Sequence, residues 1–220
     1  MPITLYIAPE SPPSRAVMMT CEAIGLDLEY KTIVLENADH LQPSFLKINP
    51  QHTVPTLVDE NTVIWDSHAI MTYLVSKYAG NDSLYPKNLE QRALVDQRLH
   101  FDTGSLFVHL RLYIKKCFSG NREKSVEDHE RQTVLDSYNL LEEFLHKSSY
   151  MAGNDLTIAD FSIITSVTGL NMMVSIDAKL YPRLHIWIKK IESLPYYNKV
   201  NEIGLQNLED FMRNISQDKK

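Results

Sequence analysis

Strand and helix patterns alternate over the first 78 residues of this chain, and after Tyr78 only helix patterns follow. Ile3 to Ile7 reads as a short strand, and Pro12-Pro13 then open a helical stretch with Val17, Cys21 and Ile24 on one face. Gly25 is the residue type that closes a helix in the left-handed conformation. Period-two alternation returns over Leu28 to Val34, and His40 to Ile48 predicts a short polar helix or turn before Asn49-Pro50. Val54 to Val58 and Thr62 to Trp65 flank Asp59-Glu60-Asn61, a junction of hairpin length, so these two strands should be antiparallel. Asp66-Ser67 caps a helix through Tyr78, with Ile70, Leu74 and Tyr78 stacked at every fourth position. The expected order is β-α-β-α-β-β-α.

Ala79 to Pro86 is short, polar and interrupted by proline, as a linker between packed domains is. Leu89 to about Cys117 predicts one long helix with Leu99, Leu106, Leu110 and Ile114 on its apolar face, and Val126 to His146 predicts a second, using Val134, Leu141 and Leu145. Gly120-Asn121 separates them. Thr157-Ile158-Ala159-Asp160 has capping-box spacing, with aspartate in place of the more usual glutamate. Pro182 and Pro195 bracket the helix that carries Trp187, and residues 216–220 should fray. The fold class is therefore α/β plus all-α: a mixed domain over residues 1–80 and an all-helical domain over residues 88–220.

Composition narrows the function classes. The 22 Lys+Arg against 28 Asp+Glu give a formal charge of −6, a poor match to nucleic acid or an anionic membrane, although a local basic pocket stays open. Two cysteines, Cys21 and Cys117, are too few for a disulfide scaffold and lack metal-site spacing, so no metal and a reducing cytoplasm are expected. The apolar N-terminal strand meets Glu10 and prolines before a signal-peptide core develops, and no apolar run approaches the roughly 20 residues of a membrane span.

The candidate chemistry begins at Glu10-Ser11-Pro12-Pro13-Ser14-Arg15, which joins a strand to a helix at a sheet edge where an anion could sit. As an N-cap, Ser11 could accept only from Ser14 or beyond, because Pro12 and Pro13 have no N–H. Its own proton stays free for a ligand.

Element order and motifs together resemble the cytosolic glutathione transferases across essentially the whole chain, the insect epsilon class first and the delta class next. The residues that carry this are Ser11-Pro12-Pro13-Ser14-Arg15, Asn49 to Pro55, Asp66 to Ile70, Leu99-His100-Phe101-Asp102 and Thr157 to Asp160. The resemblance implies a thioredoxin-like N-terminal domain, an all-helical C-terminal domain and a homodimer. It implies glutathione as co-substrate, with Ser11 as the catalytic hydroxyl that donates to the glutathione thiolate. Pro55 would be the family's cis-proline, exposing the Val54 backbone to the tripeptide; read alone, it is a trans proline that starts a strand. Asp66 would accept from the γ-glutamyl ammonium, while Ser67 and the helix start that includes His68 would meet the γ-glutamyl carboxylate; read alone, these residues are caps. The wider family often has glutamate where Asp66 stands, so Asp66→Glu should bind glutathione equally or more tightly. His40 and His52 would reach the glycyl carboxylate, or are solvated surface histidines. Bulk charge cannot hold this anionic tripeptide, because residues 1–78 carry four basic against nine acidic side chains.

By family position Phe107, Leu110, Arg111 and Ile114 would line the second-substrate cleft, with Leu208 and Phe211 closing it; the alternative for this stripe is interdomain core. Arg111 would assist a thiolate or form a surface ion pair. The implied activity is conjugation of glutathione to hydrophobic electrophiles, including detoxification and dehydrochlorination of organochlorines. A low-turnover carrier of hydrophobic ligands would present the same cleft. Disulfide reduction is disfavoured, because the loop has Ser11 and Ser14 where a reductase needs cysteine, and Cys21 belongs to an apolar face.

Overall fold

The structure, a computed structural model, describes residues 2–118 and 126–215. The expected break at Gly120-Asn121 and the tail at 216–220 lie outside the described residues. The N-terminal part is thioredoxin-like: β1 (Thr4–Ile7), α1 (Pro12–Ile24), β2 (Glu29–Thr32), α2 (Pro43–Leu46), β3 (Thr56–Asp59), β4 (Thr62–Trp65) and α3 (Ser67–Tyr78). Its sheet runs β2-β1-β3-β4. β1 pairs parallel to β2, with Leu5 opposite Tyr30, and antiparallel to β3, with Leu5 opposite Leu57. The β3–β4 hairpin is antiparallel, as its turn residues predict.

Local signals and observed elements agree at several points. Gly25 ends α1 at φ 65°, where a side chain would be strained, and the Leu26 N–H returns to the Cys21 carbonyl at 2.9 Å. β2 differs from its pattern. It is shorter than Leu28–Val34 and all four residues are exposed, because it lies on the sheet edge; the apolar Ile33 is buried just beyond it. The polar 40–48 stretch resolves into a 3₁₀ turn, Asp39–Leu41, and the short α2.

The rest is helical: α4 (Leu89–Phe101), α5 (Phe107–Phe118), α6 (Asp128–His146), α7 (Ile158–Met173), α8 (Pro182–Glu192) and α9 (Ile203–Ile215). The single helix expected over 89–117 is interrupted by a π turn at Asp102–Leu106. The extra residue in that turn rotates the following face, and Asp102 points inward with 4% of its surface exposed. Helix α7 is buried on nearly every side and forms the centre of the molecule, with α1 packed between it and α3. It starts at the capping box, where Asp160 Oδ2 accepts from the Thr157 N–H at 2.9 Å and Oδ1 accepts from the Met151 N–H and Trp187 Nε1, each at 2.9 Å. Cys21 is buried, and burial pushes its thiol up to about 12, so it stays protonated and inert.

Candidate active site

A cavity of about 660 Å³ opens between the sheet domain and the helices. One side is the start of α1. Ser11 is the N-cap residue, but its hydroxyl makes no capping bond, and Pro12 and Pro13 occupy the first helical positions. Two of the N–H groups that usually carry the positive end of a helix are therefore missing, and the Ser11 O–H is a donor free of any capping bond at that end of the cavity. Ser14 turns away: it is fully buried, and its Oγ accepts from the Ala8 N–H at 3.4 Å. Glu10 also lines the cavity, and burial, reinforced by Glu36, holds its carboxyl above the usual range.

The second side is the segment before β3. Asn49 is fully buried and braces it from within. Its Nδ2 donates to the Thr53 carbonyl at 3.0 Å and to Thr56 Oγ1 at 2.8 Å, and its Oδ1 accepts from the Gln51 N–H at 2.9 Å. The Val54–Pro55 peptide is cis. His52, at φ 47°, and His40 face each other with ring centroids 6.1 Å apart. Burial and then the neighbouring His52 lower the His40 pKa, so its imidazole is neutral near pH 7, with a buried Nδ1 that has no hydrogen-bond partner among the described residues.

The third side is the start of α3. Asp66 sits at φ 75°, a conformation costly for any residue with a side chain, and its Oδ1 accepts from the His68 N–H at 3.0 Å and the Ala69 N–H at 3.2 Å. Oδ2 has no hydrogen bond among the described residues, and Ser67 opens the helix beside it. His68 also lines the cavity, but its ring faces the helical domain. Nε2 lies 2.7 Å from Ser162 Oγ and 3.4 Å from Asp102 Oδ2, and Nδ1 lies 3.1 Å from Thr103 Oγ1. Both ring nitrogens are thus engaged in a bridge between domains, which leaves the expected contribution of His68 to its place at the helix start. Ser, His and Asp meet here without forming a hydrolytic triad, since the carboxylate is on the same nitrogen as the serine and itself accepts the hydrogen bond of the serine hydroxyl.

The fourth side is apolar. Phe107, Arg111 and Ile114 follow one face of α5, and Leu208 and Phe211 follow one face of α9; all five line the cavity. Leu110 does not. It is 1% exposed and lies in the core, where α7 has a notch: a Cβ on Gly169 would sit 2.5 Å from Leu110 Cδ2. The expectation that Leu110 faces the cleft is therefore corrected, because that glycine admits its side chain to the interior.

Several lining residues received no role from sequence reasoning: Glu10, Gln51, Trp65, Asp102, Thr103, Val108, Ser162 and Ser166. Asp102 lay in a motif, but nothing local signals that its partner is Ser162, sixty positions on. Among the described residues no group of three or more His, Cys, Asp or Glu is placed to hold a metal ion, and no helix is long and apolar enough to cross a membrane.

Residues 5–82 match the glutathione S-transferase N-terminal domain family and residues 110–199 the glutathione S-transferase C-terminal domain family. The chain belongs to the glutathione S-transferase family. It is 45% identical over 207 residues to glutathione S-transferase 1 of Manduca sexta, covering 93% of this chain and 94% of that one. Among solved structures it resembles an epsilon-class glutathione S-transferase from the housefly, Musca domestica, with a TM-score of 0.94 and 46% identity, covering 97% of this chain and 98% of that one. It also resembles a glutathione transferase homologue from Drosophila mojavensis with bound glutathione, with a TM-score of 0.92 and 43% identity over 97% of each chain.

Proposed function

We propose that this glutathione S-transferase binds glutathione along the sheet side of the cavity, holds its sulfur as a thiolate at Ser11, and directs it at apolar electrophiles seated against α5 and α9. The observation that supports this is the Ser11 hydroxyl, free of any capping bond, beside a cavity that joins a polar wall to an apolar one. A thiol of ordinary pKa, about 8.5, is only about 3% ionised at pH 7, and lowering it by about two units needs about 2.7 kcal/mol of preferential stabilisation of the anion. One charge-assisted hydrogen bond supplies about 1.5 to 3 kcal/mol, and the α1 N-terminus adds up to about 1 kcal/mol. Ser11 acts as a donor and forms no covalent intermediate.

In this reading the γ-glutamyl ammonium meets Asp66 Oδ2, its carboxylate meets Ser67 and the α3 start, and the peptide pairs with the Val54 backbone ahead of Pro55. The glycyl carboxylate meets His52 and the neutral His40, a hydrogen-bonding site more than a charged one. His68 positions α3 from behind. Arg111 lies on the cavity wall, where its cation favours an anionic sulfur or a polarised leaving group.

The chemistry extends to dehydrochlorination: the same thiolate removes a proton from the carbon next to the one bearing chlorine, chloride departs as the double bond forms, and glutathione returns unchanged. The test combines calorimetry of glutathione binding with turnover of a nitro-substituted aryl halide and of an organochlorine. Saturable binding with conjugation supports the transferase reading. Binding of apolar ligands with no turnover of either would replace it with the carrier reading. Homodimeric assembly in the cytoplasm belongs to the same proposal and is checked by sedimentation and cell fractionation.

A further inference from the structure

The apolar wall on α9 starts at a small residue seated against the Ser11 segment. Gly204 lies in the first turn of α9, and a Cβ built there would sit 2.6 Å from the Pro9 carbonyl oxygen and 2.3 Å from Arg15 Cδ. No side chain fits at such distances unless α9 and the Pro9–Arg15 segment shift apart. Pro9 is two residues before Ser11, and the Arg15 N–H donates to the Ser11 carbonyl at 3.0 Å. Both contacts of Gly204 therefore belong to the turn that presents the Ser11 hydroxyl.

Leu208 and Phe211 follow Gly204 at four and seven positions, so the three share one helix face. The end of that face touches the Ser11 loop, and its continuation forms the cavity wall. A second element fixes the contact. Arg15 is fully buried, and its Nη1 donates to both Asn201 oxygens, at 2.7 Å to Oδ1 and 3.1 Å to the carbonyl. Its Nη2 reaches the Thr165 carbonyl of α7 at 3.5 Å. Asn201 is also fully buried, stands in the π turn Asn198–Glu202 that feeds α9, and donates to Thr168 Oγ1 at 3.4 Å. A buried cation on α1 thus grips the turn that launches α9, and the missing side chain at 204 lets α9 settle onto it.

We propose that Gly204, seated against Pro9 and Arg15, is a positioning residue that sets how closely the Leu208–Phe211 face approaches Ser11, and thereby which sizes of apolar electrophile the cavity accepts. The inference rests on the transferase reading for its consequence in turnover, and on packing alone for its consequence in binding.

The test is Gly204→Ala, compared with wild type on a compact nitro-substituted aryl halide and on an isothiocyanate with a long phenylalkyl arm. Displacing the wall should change the ratio of kcat/KM between the two electrophiles at least about fivefold, carried mainly by KM, while the glutathione dissociation constant stays within about twofold. In a Phe211→Ala background the effect of Gly204→Ala should shrink, because the wall it moves has been removed. A folded Gly204→Ala protein with an unchanged ratio overturns the proposal, as does an equal loss on both electrophiles.

If Gly204→Ala does not fold, Asn201→Ala and Asn201→Asp carry the same test. The alanine, which releases Arg15, should shift the ratio, and the aspartate, which keeps an acceptor for Nη1, should restore it; wild-type ratios in both overturn the proposal. Displacement of bound anilinonaphthalene sulfonate by the electrophiles gives a readout free of turnover. A wild type that conjugates neither electrophile but shows a Gly204-dependent shift in that displacement retains this inference and refutes the catalytic reading.

Discussion

Removing one oxygen atom, in Ser11→Ala, separates the chemical role of this residue from a structural one. The Ser11 side chain makes no capping hydrogen bond, so its loss should change stability by no more than about 0.5 kcal/mol. The neighbourhood offers little replacement. Pro12 and Pro13 have no N–H, and the Ser14 hydroxyl is buried and engaged by the Ala8 backbone. The full charge-assisted bond is then lost, about 1.5 to 3 kcal/mol, which raises the thiol pKa of bound glutathione by about one to two units. Since the thiolate is the reactive form, the ionised fraction at pH 7 drops from about three-quarters to between about a quarter and about 3%, and turnover there should fall about three- to twenty-five-fold. The midpoint of the pH profile should move up by the same one to two units. The loss should therefore shrink as the pH approaches about 9.5, where the thiol ionises unaided. The assay is kcat against pH at saturating glutathione, alongside ultraviolet titration of the bound thiol. A rate deficit that stays constant at high pH, or a thiol that titrates identically in both proteins, would refute the reasoning.

Other outcomes follow from particular contacts. Asp66→Asn keeps the Oδ1 cap of α3 and removes the charge, so stability should hold while glutathione affinity drops about tenfold, read by thermal melting and calorimetry; an unchanged affinity would remove the ammonium contact. Gly169→Ala should cost about 1 to 3 kcal/mol by overpacking Leu110, and less in a Leu110→Ala background; strict additivity in urea unfolding would contradict the notch. Asp59 is pushed up by burial, but hydrogen bonds from Lys77, Tyr73 and Tyr78 outweigh this and hold it below the usual carboxylate range. Its contribution to stability is therefore present above the unfolded pKa of about 3.9 and lost as pH falls through the depressed folded value. Asp59→Asn should flatten that part of the acid limb in denaturation at about pH 7 against pH 3; an unaltered limb would show that the cluster does not couple to folding.

What was legible in the sequence was local. Gly25, the Asp59-Glu60-Asn61 turn, the prolines around α8 and the Thr157–Asp160 spacing act on neighbours within a few residues, and each produced the element its chemistry predicts. The parts of the site that escaped notice depend on partners far along the chain. The π turn at Asp102 answers to Ser162, the inward turn of Leu110 to Gly169, and the burial of Arg15 to Asn201. Periodicity places Leu110 with the buried Leu99 and Leu106, but does not reveal the notch that receives it, nor the hydroxyls that engage the ring of a motif histidine. His68 shows this most clearly, since its neighbours Asp66 and Ser67 stay at the cavity while its ring is recruited by the other domain.

The carboxamide of Asn49 holds three separate points of the stretch ahead of β3 from inside, out of reach of solvent. In the proposed reading, the side that meets glutathione is therefore braced by a buried group that takes no part in the α5 and α9 wall. Under that reading, substitutions on α5 and α9 change which electrophile is accepted while the inner brace stays unchanged, whereas a lesion at position 49 is felt by every reaction that uses glutathione.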